Sequence, residues 1–123
     1  MKASHKYALS MLFAAAAMTG YTPAWAHATL KSATPDKDAE VTTAPKEITL
    51  QFNEKLEAAF SKATVVDSAG RQVTTGKASL DQADPSVMRL ALPALPAGKY
   101  TVEYVGVGHD GHRRRGNYAF SVK

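Results

Sequence analysis

Beyond its first 26 residues the chain reads as an all-β protein, an immunoglobulin-like or Greek-key β-sandwich of about seven antiparallel strands. Three observations predict this. Apolar residues recur at every second position in short runs, Pro- or Gly-bearing turns separate the runs, and helical periodicity is almost absent.

The elements follow in order along the chain. Leu30 to Ser32 reads as a short first strand, closed off by Thr34-Pro35-Asp36. Ile48, Leu50 and Phe52 then alternate with Thr49, Gln51 and Asn53, the pattern of a strand with one dry face. Glu54 to Phe60 is the one stretch able to hold a helical turn, and we expect a loop there. Ala63 to Val66 leads into the turn Asp67-Ser68-Ala69-Gly70, with Gln72 to Thr75 as the return strand. Three further alternating sets complete the count: Met88, Leu90 and Leu92; Tyr100, Val102 and Tyr104; and Tyr118, Phe120 and Val122. Turns at Ala44-Pro45, Asp84-Pro85 and Leu95-Pro96-Ala97-Gly98 separate them. No internal repeat or linker interrupts this single domain.

The first 26 residues follow a different logic. Lys2 and Lys6 precede an apolar run of 11 residues, Ala8 to Met18, and Gly20 and Pro23 break the chain before Ala24-Trp25-Ala26. That order is the secretory signal pattern, and the run falls short of the roughly 20 residues that span a bilayer. Cleavage after Ala26 is therefore expected. It leaves a secreted domain of residues 27–123 with His27 at its start.

Composition narrows what such a domain does. It carries all 11 acidic residues and all but Lys2 and Lys6 of the 15 basic ones, so its net charge is only slightly positive. No nucleic-acid partner follows from so small an excess. With no cysteine, a disulfide framework, thiolate metal sites and thiol catalysis are all excluded. Of four methionines only Met88 lies past residue 26, within a strand pattern that makes it core. Three of the four histidines do: His27, His109 and His112. This inventory is poor for Cu(I) and adequate for an ion that prefers nitrogen and oxygen.

The last two strands are joined by a polar, glycine-rich stretch, Gly108 to Gly116. Asp110 and His112 stand two apart within it, so an extended backbone points both side chains the same way. Taken alone, Asp-Gly-His is also an ordinary turn, and His27 is also an accident of where cleavage falls. Together they make a ligand set. A terminal His27 offers its α-amine and its imidazole Nδ1 to one ion, and the amine loses its proton to a metal readily from a pKa of about 8. With a His112 nitrogen and an Asp110 oxygen the donors are three nitrogens and one oxygen, which suits tetragonal Cu(II).

The chain also resembles a known family. The residues that carry the resemblance are His27 to Pro35, Leu50-Gln-Phe-Asn-Glu54, Leu95-Pro-Ala-Gly-Lys-Tyr-Thr-Val102, Asp110-Gly-His112 and Gly116-Asn-Tyr-Ala-Phe120. They are similar, in order, to the CopC family of periplasmic copper-binding proteins. The resemblance implies the sandwich fold and one Cu(II) per chain held by His27, Asp110 and His112. It also implies a role in copper tolerance or supply beside a CopD-type membrane protein. The methionine-rich loop with which some CopC relatives bind Cu(I) has no counterpart here, so a Cu(II)-only member is expected.

Three features near the loop stay open. His109 stands where the family favours a small residue, as an exposed bystander or a weak extra ligand. Glu54, in a Phe-x-Glu motif, is either an ordinary surface residue or an axial or orienting carboxylate near the metal. Arg113, Arg114 and Arg115 form a solvated loop face or a docking patch for an acidic partner or anionic lipid. The leading expectation is a monomeric, non-enzymatic Cu(II) carrier or sink. Its rivals are a copper-dependent oxidase with an N-terminal histidine brace and a metal-free immunoglobulin-like interaction module.

Overall fold

Period-two alternation decides which face of each strand is dry, and in the computed structural model, which describes residues 28–123, those faces close on one another. The strands are β1 (Leu30–Thr34), β2 (Glu40–Val41), β3 (Glu47–Phe52), β4 (Lys62–Asp67), β5 (Ser79–Leu80), β6 (Val87–Ala91), β7 (Gly98–Val107) and β8 (Arg113–Val122). One sheet has the order β1-β3-β6-β5 and the other β2-β8-β7-β4. The protein is an all-β two-sheet sandwich. The predicted signal segment and His27 lie outside the described residues.

Between the sheets lie Ile48, Leu50, Phe52, Val65, Met88, Leu90, Val102 and Phe120, all essentially out of water. Met88 is core, as its alternation with Arg89 requires. Two aromatic contacts mark the ends of this core. Tyr100 stacks on Phe120 at 5.6 Å and donates its hydroxyl to the Pro96 carbonyl. Phe52 meets Tyr104 edge-on at 5.7 Å, and its ring lies so close to Gly106 that a Cβ there would sit 2.9 Å from it.

Four expectations need correction. The strands number eight, because β2 and β5 have two residues each, too few for alternation to reveal. The set is not wholly antiparallel either. The chain leaves the first sheet after β1, and β2 runs parallel to β8 through Glu40↔Ser121 and Val41↔Val122. Gln72 to Thr75 forms no strand: past the Val66–Gln72 bridge, the Val65 amide donates to the Thr74 hydroxyl instead of a carbonyl, and the ladder stops. Finally, Arg113 to Arg115 belong to β8 and not to a loop, since their backbone pairs with Val107 to Val105. Glu54 to Phe60 does form a turn-bearing connection, closed by Ser61 N donating to Glu57 O.

Aspartates fasten the turns. Asp81 accepts the amides of Ala83 and Asp84 and pairs with Arg89, which reaches Glu47 as well. Those two backbone bonds, with Arg89 behind them, hold the Asp81 carboxyl below its ordinary 3.8. Asp67 is lowered by its bond from the Arg71 amide, and Asp84 by those from Ser86. A carboxyl depressed by folding stabilises the fold above the ordinary carboxylate pKa, and that contribution fades as pH falls through the lowered values. The thermal unfolding midpoint should therefore stay level from neutrality to about pH 5 and drop below about pH 4. Asp81→Asn should lower the midpoint at neutral pH and flatten the acid drop. A variant with the unaltered acid profile would remove Asp81 from this account.

Candidate metal centre

At one end of the sandwich β7 stops at Val107 and β8 starts at Arg113. The five residues between them make a tight turn, with Gly111 N donating to Gly108 O at 3.0 Å. Gly111 sits at φ 79°, left-handed backbone that a side chain disfavours. The turn folds Asp110 back onto His112. One carboxylate oxygen accepts the His112 amide at 2.9 Å, and the other lies 2.9 Å from the ring Nδ1, an ion pair whenever the ring is protonated. Both side chains remain 38–39% exposed, so the imidazole and the carboxylate share one place that solvent reaches.

The second wall of this end comes from the other sheet. Past β3, Asn53 takes the Thr29 amide on its side chain at 2.7 Å and returns its own amide to the Thr29 carbonyl at 3.0 Å. That exchange pins the start of the described chain, where Ala28 is wholly buried. The connection then crosses to the second sheet: Leu56 bridges Gly108, and Glu57 donates its amide to the Val107 carbonyl. The crossing lays the Glu54 carboxylate directly over Gly108. A Cβ on that glycine would overlap Glu54 Oε1 and lie 3.3 Å from Asp110 Oδ1. Glu54 Oε1 is buried and accepts no hydrogen bond among the described residues.

The sequence-predicted site thus divides. Asp110 and His112 are brought together, and Glu54 lies over Gly108 on the same side as Asp110. His109 turns away to an exposed pairing of its Nδ1 with Glu57. His27 lies outside the described residues, and among those described no three His, Asp or Glu side chains gather as a metal-binding group. Sequence reasoning missed Asn53 and Gly108. Asn53 carries a weak signal, a side-chain acceptor at a strand end. Gly108 carries none, because what needs its missing side chain is a residue far away in the chain.

The comparisons with known proteins agree with this architecture. Residues 30–123 match the CopC domain. The chain is 38% identical over 122 residues to Protein YobA of Escherichia coli K12, covering 98% of this chain and 95% of that one. It is 37% identical over 107 residues to Copper resistance protein C of Escherichia coli, covering 81% and 84%. The crystal structure of CopC from Methylosinus trichosporium OB3b superposes with a TM-score of 0.75 at 32% identity, covering 79% of this chain and 94% of that one. A two-sheet sandwich that matches the CopC domain over residues 30–123 places the chain in a class of copper-binding β proteins. The chain belongs to the CopC family.

The seat of Glu54 on Gly108 is open to direct test. Gly108→Ala should destabilise the domain by about 1–3 kcal/mol, since the new methyl collides with a packed side chain. Adding Glu54→Ala should recover most of that loss, as read in a denaturant double-mutant cycle. Simple additivity of the two changes would show that they do not touch.

Proposed function

We propose that this protein is a periplasmic Cu(II) carrier or sink, without enzymatic activity, that binds one Cu(II) per chain through His27, Asp110 and His112. The observation that carries this reading is the Asp110–His112 pair, a half-exposed carboxylate and imidazole 2.9 Å apart on a fixed turn. Two observations support it, the burial of Ala28 and the donor inventory. Ala28 is buried beside the Asn53–Glu54 end of β3, and His27 begins one Cα step of about 3.8 Å before it. Once Ala26 is removed, the His27 α-amine and ring form a bidentate chelate; in the precursor that nitrogen is an amide and binds nothing. The donor set is nitrogen and oxygen, and Met88, 1% exposed in the core, offers no thioether for Cu(I).

In this arrangement Glu54 is a positioning carboxylate. Its buried oxygen lies near Asp110 with an acceptor to offer, so it would orient the residues that hold the ion. Asp110 would hold the ion with a negatively charged oxygen, which favours Cu(II) over Cu(I) and argues against the histidine-brace oxidase. A monomer that meets a CopD-type membrane protein completes the proposal.

Copper titration of protein beginning at His27 should saturate at one equivalent, with the EPR spectrum of a tetragonal, nitrogen-rich Cu(II) site. An extra alanine ahead of His27, or His112→Ala, removes a ligand and should cost more than about 100-fold in affinity. Glu54→Gln should cost about 10–100-fold. Unchanged affinity with the extra alanine would overturn the terminal chelate. Reductant-driven oxygen consumption well above that of free copper would favour the oxidase.

A further inference from the structure

The outer face of the β2-β8-β7-β4 sheet carries charge that neither the fold nor the metal centre uses. Register places Lys62, Val105 and Arg115 in one row across β4, β7 and β8, with Arg113 beside Val107 in the next row toward the metal loop. Val105 and Val107 are buried although they point outward, as expected beneath the long stems of flanking cations. The row borders a shallow depression of about 430 Å³, in which Glu103 is the single acid.

Elsewhere in the described chain Arg71 pairs with Asp67, Arg89 with Glu47 and Asp81, and Lys123 with Glu40, while other lysines stand singly; only at this corner do register and sequence gather several unpaired cations on one face. Among the described residues no carboxylate pairs with Lys62, Arg113, Arg114 or Arg115. At the same corner, two residues before Lys62, stands Phe60, the large apolar side chain left 59% exposed. It is held there by the turn that binds Ser61 and Glu57 to Val107.

We propose that this corner docks the domain on an anionic lipid bilayer, with Phe60 entering the headgroup boundary and Lys62, Arg113 and Arg115 meeting lipid phosphates. A lipid surface fits better than an acidic protein because an exposed aromatic ring set among unmatched cations supplies both signals that peripheral membrane binding needs. No helix among the described residues is long and apolar enough to cross a membrane, so the contact is peripheral. Arg113 directly follows His112, so docking holds the metal loop at the membrane surface. The contact uses no metal and no ligand residue, and its test is independent of the copper reading.

Metal-free protein beginning at residue 27 is mixed with phosphatidylethanolamine–phosphatidylglycerol vesicles at physiological ionic strength, with phosphatidylcholine vesicles as the neutral comparison. Binding is expected only to the anionic vesicles. Arg113→Glu with Arg115→Glu should weaken it at least about tenfold. Lys46→Glu with Lys77→Glu, exposed lysines outside this patch, makes the same change in net charge and should leave binding within about twofold. Phe60→Trp introduces the only tryptophan once Trp25 is absent, and its emission should shift to the blue on binding. Equal losses from both charge reversals would overturn the proposal, because net charge and not this face would then be responsible. So would an unshifted emission from the Phe60→Trp variant, or binding to a polyglutamate peptide without binding to vesicles.

Discussion

The approach of Phe52 to β7 is the contact on which the metal end of this molecule depends. Its ring fills the space left by Gly106 and meets Tyr104 edge-on, so the end of β3 is drawn against the end of β7. Everything after Phe52 inherits that proximity. Asn53 can then tie down Thr29, Leu56 can bridge Gly108, and Glu54 lies over the same glycine. A bulkier residue at 106 would push the sheets apart at the point where residues from both must converge.

That convergence has an electrostatic character. Glu54 and Asp110 both direct carboxylate oxygens at the space above Gly108, and one of those oxygens is buried without a hydrogen bond. The unmet acceptor of Glu54 beside the Asp110–His112 pair is what supports the copper reading proposed above over a metal-free module. Arg113 and Arg115 stand just beyond, on the outer face of the second sheet.

Much of the fold was legible because burial of one sheet face imposes alternation, and alternation is a local pattern. Ile48-Leu50-Phe52 and Tyr118-Phe120-Val122 could be read directly. Elements of two residues could not, since β2 and β5 are too short to show a period. Gln72 to Thr75 misled for another reason: Thr74 uses its hydroxyl where a strand would use a carbonyl, and composition does not reveal that choice. Arg113 to Arg115 looked like loop because charge was taken for irregularity. Yet ladder hydrogen bonds belong to the backbone and are indifferent to a charged side chain that points into water.

By itself the sequence determined the sandwich class, the dry faces of its longer strands, the absence of thiol chemistry, and the pairing of Asp110 with His112. All of these follow from local spacing or from which atoms exist. Tertiary structure alone decided that Glu54 belongs beside Asp110, that His109 turns to Glu57, and that Lys62 joins Arg113 and Arg115 on one face. Those residues lie far apart in the chain and meet only because two sheets pack and strands register, and no local pattern encodes a distance set by packing.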